Sequence, residues 1–113
     1  MQLPWAPTTV FFTVRTFDGT MAVMDIEWDK IKAKINERKH GVSFSDAAVV
    51  MNDPMSVTID DDVVVDDEER FVSIGMDGQG RILIVVYTYR GKSSIRIISA
   101  RRATNNERKQ YGG

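Results

Sequence analysis

The chain has 113 residues, 42% of them hydrophobic and 27% charged, with a formal net charge of −1 at pH 7 and no cysteine. That is one ordinary globular domain with enough chain to bury a core, and it excludes a uniformly basic nucleic-acid binder, disulfides and thiolate metal sites. No apolar run approaches the roughly 20 residues that span a bilayer, and the first residues lack the basic and apolar regions of a signal peptide.

Residues 1–23 differ in character from the rest. Pro4 and Pro7 disfavour helix, and Thr8 to Phe17 is rich in Thr, Val and Phe, which predicts a strand. This piece is expected to be an N-terminal extension, either an added edge strand or a loosely attached arm, or else the product of an upstream start codon ahead of Met24. The main domain is placed at 24–113. Asp25 to Trp28 reads as its first strand, with Trp28 in the core. Asp29 is a good N-cap for a helix through about Lys39. Ile31 and Ile35, spaced i, i+4, predict its buried stripe, with Lys30, Lys32, Lys34 and Arg38 around the rest. His40-Gly41 ends it, glycine taking the position after the last turn. Ser43 with Asp46 has capping-box spacing and opens a helix that buries Phe44, Ala47, Ala48 and Met51, stopped by Asn52-Asp53-Pro54.

The second half changes period. Met55 to Ile59, Arg70 to Met76 and Arg81 to Tyr89 predict strands, the last of them central because it is the most apolar. Asp77-Gly78-Gln79-Gly80 and Gly91-Lys92 are turn signals. Ile95, Ile97 and Ile98 mark a final strand, and Thr104 with Glu107 starts a short helix by another capping-box spacing. The order is β-α-α-β-β-β-β-α: an α+β domain with an antiparallel sheet packed against helices. Charge is segregated. From Asp53 to Glu69 there are eight acids and no base, whereas Arg90 to Tyr111 holds seven Lys/Arg against one acid, a local charge of +6. Asp60 to Glu69 is expected to be a solvated loop or frayed hairpin connection, interrupted by Val63 to Val65, and it lacks the Asx spacing and central glycine of a calcium loop. The basic end is the candidate phosphate-binding surface, since guanidinium groups grip phosphate bidentately.

The segments EWDKIKAKINERKHGVSFSDAAVVMNDP, EERFVSIG, GRILIVVYTYRG and IRIISARRATNNERKQY, in this order, resemble the BrnT family of bacterial toxins over about Met24 to Tyr111. The most specific pieces are KHGVSF, the Glu69-Arg70 pair followed by Ile74-Gly75, and RIISAR with its downstream ERxxY. The resemblance implies a RelE-like fold and a cytoplasmic endoribonuclease that cuts RNA, without metal or cofactor, to inhibit translation and arrest growth. It also implies a ribbon-helix-helix antitoxin of the BrnA type that silences the toxin, bridges toxin dimers and contacts promoter DNA. Residues before Met24 have no counterpart in the family pattern.

Metal-free RNA cleavage needs a base for the ribose 2′-OH, a proton for the leaving 5′-oxygen and cations around the phosphorane. One histidine cannot form a paired-His acid/base site. Arg101 and Arg96 share the last strand, but strict alternation sends them to opposite faces unless a bulge intervenes. The resemblance makes Arg101 the phosphate and transition-state residue, with Glu69 as base or as orienter of an arginine and Arg70 beside it in the catalytic set. Arg90, Arg96, Arg102 and Tyr111 are candidate RNA contacts. Each has a plain alternative: solvated strand faces for Arg96, Arg101 and Arg102, a hairpin-end charge for Arg90, an acidic loop end for Glu69, and an anchor for the last helix in Tyr111. His40 is a possible acid/base, but its place at a helix C-terminus favours a structural, capping role. With no unambiguous base in the chain, a non-catalytic RNA- or partner-binding module, a degenerate toxin, is the alternative function.

Overall fold

The computed structural model describes residues 8–15, 21–65 and 68–111. In chain order the elements are β1 (Thr8–Arg15), β2 (Met21–Trp28), α1 (Lys30–His40), α2 (Phe44–Met51), β3 (Val57–Val65), β4 (Glu68–Met76), β5 (Ile82–Arg90), β6 (Ser94–Arg102) and α3 (Asn105–Arg108). The strands form one sheet in the order β1-β2-β6-β5-β4-β3. It is antiparallel except for β2 and β6, which run parallel through Asp25↔Ser94, Ile26↔Ile95 and Glu27↔Arg96. No tight turn joins those two strands; α1, α2 and three hairpins intervene, so hairpin geometry does not fix their relative direction. No helix among the described residues is long and apolar enough to cross a membrane.

The local signals act as physics dictates. Asp29 Oδ1 accepts from the backbone N–H of Ile31 and Lys32, and Gly41 takes the left-handed conformation, φ 69°, that ends α1. Ser43 caps α2, which buries Phe44, Ala47, Ala48, Val50 and Met51 against the sheet. The core adds Met24, Ile26 and Trp28 from β2, Leu83, Val85 and Tyr87 from β5, and Ile95, Ile97 and Ala100 from β6. All lie on the sheet face that carries α1 and α2.

Of the two readings of Asp60 to Glu69, the hairpin holds and the loop does not: β3 continues through Val63 to Val65 and β4 begins at Glu68, with a register irregularity between Ile59 and Val63. One expectation needs correction, and it concerns α1. Ile31 and Ile35 are 67% and 59% exposed, and the helix buries Asn36 instead. β2 stops at Trp28, which leaves β6 an open edge beyond Arg96. Asn36 fills it, donating to the carbonyls of Ala100 (2.8 Å) and Val42 (3.0 Å) and accepting from the Ala100 N–H (3.1 Å). Satisfying a buried strand edge takes precedence over burying two isoleucines, because an orphaned backbone pair costs more than the lost contact.

Gly75 of β4 lies under α2. A Cβ built there would be 2.6 Å from Val50 Cγ1 and 3.1 Å from Ser56 Cβ. Val50 is fully buried and cannot yield, so Gly75→Ala is expected to cost about 1–3 kcal/mol by overpacking. Thermal unfolding checks this through a lowered melting temperature.

Candidate active site

β6 carries a bulge. Tyr87 pairs with Ile97, and Val86 pairs with Ser99, so Ile98 is the extra residue. Ile97 and Ala100, three apart, therefore both face the core, 2% and 0% exposed. Arg96 and Arg101 flank that pair and both point to the opposite face, away from α1 and α2. The odd spacing that separates them on a regular strand is cancelled by one inserted residue.

Register assembles a row of side chains on that face. Thr88 of β5 pairs with Arg96 of β6, and Arg96 pairs with Glu27 of β2. On the other side Phe71 pairs with Tyr87, which sets Arg70 beside Thr88 in the next rung, and Thr88 Oγ1 donates to the Glu69 carbonyl at 2.8 Å. The row thus reads Arg70, Thr88, Arg96, Glu27. Arg70 and Arg96 are two strand spacings apart, about 10 Å between backbones, which lets two long side chains converge on one phosphate above Thr88. The buried Nε of Arg70 has no hydrogen-bond partner among the described residues. The Arg96 charge also reaches the N-cap of α1: Asp29 is held below the usual carboxylate range, first by the Lys32 N–H, with Arg96 a smaller contributor.

Arg90 lies on the same face, two residues further along β5, with Glu68 Oε2 3.8 Å from its Nη2. Arg101 is on this face too, but paired with Ile84, four residues along β5 from Thr88 and so about 13 Å from the row. Its guanidinium is engaged: Nη1 and Nη2 donate to Glu107 Oε1 and Oε2 at 2.7 and 2.8 Å. Glu107 also closes the capping box of α3 on Thr104. The Arg101 fork, with the Thr104 N–H, holds the Glu107 carboxyl at about 2. Arg101 is thus tied down at the far end of the face.

The remaining candidates lie elsewhere. Glu69 alternates with Arg70 and falls on the helix-bearing side with Phe71, where Phe71, Tyr87 and Tyr89 form an aromatic cluster. Arg102 shares that side's parity, opposite Leu83, and is exposed at the strand end. Tyr111 anchors the C-terminus. Its hydroxyl donates to Asp53 Oδ2 at 2.6 Å, and burial followed by that carboxylate raises its pKa to about 12. Asp53 also accepts from the Met55 and Met76 N–H groups. His40 ends α1 beside a groove at the β6 edge of the sheet, outside the row. Glu27 and Thr88 are additions that the sequence reading passed over. The alternation in Asp25-Ile26-Glu27-Trp28, apolar residues in and carboxylates out, carried the signal for Glu27.

The chain matches a known family model, "Ribonuclease toxin, BrnT, of type II toxin-antitoxin system", over residues 28–107. The chain belongs to the BrnT family of ribonuclease toxins. The crystal structure of the Brucella abortus ribonuclease toxin BrnT superimposes with a TM-score of 0.54 at 24% identity, covering 69% of this chain and 94% of that one. That likeness confirms the BrnT fold. No curated protein matches the chain. The BrnT match begins at Trp28, so β1 and most of β2 lie ahead of it.

Proposed function

We propose that this BrnT chain is a metal-independent endoribonuclease whose centre is the row Arg70, Thr88, Arg96, Glu27. The observation that carries the reading is the row itself: two arginines and a carboxylate on the sheet face away from α1 and α2, brought together from three strands. Arg70 and Arg96 hold the non-bridging oxygens of the scissile phosphate and offset the charge that builds on the phosphorane. Glu27 takes the 2′-OH proton. The 2′-oxygen bonds to phosphorus, the bond to the 5′-oxygen breaks, and that oxygen takes a proton from water. The products end in a 2′,3′-cyclic phosphate and a 5′-hydroxyl. Arg90 and Arg101 extend the cationic track to neighbouring phosphates, and the paired acid on each tunes how readily it releases to RNA.

The toxin acts in the cytoplasm, where cutting RNA inhibits translation. A BrnA-type ribbon-helix-helix antitoxin neutralises it, bridges toxin dimers and carries the promoter contact. The test is incubation of the purified protein with a defined single-stranded RNA in EDTA. Wild type and Glu69→Gln are expected to release cyclic-phosphate ends, and Glu27→Gln is expected to bind RNA without cutting it. Binding without cleavage by the wild type would instead favour a non-catalytic RNA-binding module.

A further inference from the structure

α1 turns outward the two residues a short amphipathic helix is expected to bury. Ile31 and Ile35, 67% and 59% exposed, lie one turn apart on the same side of the helix. The helix around them is cationic: Lys30, Lys32, Lys34, Arg38 and Lys39 stand against a single acid, Glu37. Beside them a shallow groove of about 220 Å3 runs between α1 and β6, and Lys32, Ile35, Lys39 and Ile98 line it. Ile98 is the residue inserted by the β6 bulge, so the groove continues the apolar surface of Ile35 onto the sheet edge.

Scattered single apolar residues on a surface need no explanation, whereas an apolar ledge with a cationic rim defines the chemistry of what covers it. A nucleic acid would satisfy the lysines but has no aliphatic groups to cover Ile31, Ile35 and Ile98. A protein segment with carboxylates along one side and apolar residues along the other satisfies both. We propose that an acidic amphipathic segment of the antitoxin docks in the α1–β6 groove, its apolar residues on Ile31, Ile35 and Ile98 and its carboxylates on Lys32 and Lys39. The inference rests on the toxin reading above, which supplies the antitoxin. Ile98 is two residues from Arg96, so a segment seated there lies at the border of the RNA face and obstructs it from the side.

The experiment uses the toxin–antitoxin complex, co-expressed, with affinities measured by calorimetry at low and high salt. Ile31→Glu with Ile35→Glu is expected to weaken antitoxin binding at least 100-fold and to leave growth arrest unrelieved by the antitoxin. RNA cleavage by the free variant should stay within twofold of wild type, because neither residue is in the row. Lys32→Glu with Lys39→Glu should weaken the complex and flatten its salt dependence. Circular dichroism checks that each variant folds. A double-isoleucine variant that is bound and silenced like wild type overturns the proposal. So does loss of RNA affinity, or of toxin self-association, with antitoxin affinity unchanged. A wild type that cuts no RNA, yet binds its antitoxin through α1, would sink the nuclease reading and leave this docking site standing.

Discussion

Arg96→Ala is expected to slow RNA cleavage by about 10²–10³-fold, the loss seen when one preorganised donor to a developing oxyanion is removed. The folded state should keep its melting temperature, because Arg96 is only half-buried and its neighbours in the row are joined by backbone pairing. Arg96→Lys should recover only part of the rate. An ammonium restores the charge but not the planar fork that grips two phosphate oxygens. Arg101→Ala should cost less than Arg96→Ala. Its fork is already filled by Glu107, and it stands four residues along β5 from the row. Single-turnover cleavage of a defined RNA, with the variants side by side, orders them. If Arg101→Ala is the inactive variant and Arg96→Ala cuts normally, the centre lies at the α3 end of the face and the row is a binding track.

What the sequence made legible was local. Asp29, Gly41, Ser43 and the Thr104–Glu107 box each act within four residues, so spacing alone reveals them. The strands of the second half followed from alternation and turn residues. What stayed hidden depended on distant partners. The bulge at Ile98 is invisible in RIISAR, where every residue suits a strand, yet it decides which arginines share a face. Asn36 reads as one more polar position on α1 until β6 needs an edge partner sixty-four residues away. That demand rotates the helix and leaves Ile31 and Ile35 in solvent. Resemblance directed attention to Arg101 and Glu69. The register that pairs Arg96 with Glu27 arises from a parallel contact between the first and last parts of the domain, which no local pattern encodes.

Asp77→Ala is expected to remove about 1–3 kcal/mol of folding stability, the cost of leaving the Gln79 N–H, the Arg81 N–H and one edge of the Arg81 guanidinium without their acceptor. The Asp77 side chain is fully buried and accepts from the Gln79 N–H (2.9 Å), the Arg81 N–H (2.9 Å) and Arg81 Nε (2.8 Å). The same guanidinium donates to Asp46 Oδ2 (3.0 Å) at the start of α2 and to the Gly41 carbonyl (3.2 Å) at the end of α1. One arginine thus ties the β4–β5 turn to both helices, and Asp77 orients it. Set against a total stability of about 5–15 kcal/mol for a domain, the loss is a substantial share, which urea denaturation measures. Acid supplies the matching signature. Burial pushes the Asp77 carboxyl up, but the Arg81 and Gln79 donors outweigh it and hold it below the ordinary range. Asp53 is likewise held low against its burial, by Tyr111 and two backbone N–H groups, and Glu107 sits at about 2. Folded-state pKa values below the unfolded ones mean that these carboxylates bind fewer protons when folded. Their stabilisation is complete above about pH 5 and is lost as pH falls through the folded values, toward about pH 2 for Glu107. Wild-type stability should therefore fall steeply below about pH 4. Asp77→Ala, already without one of the three groups, should start lower and fall less steeply over the same window.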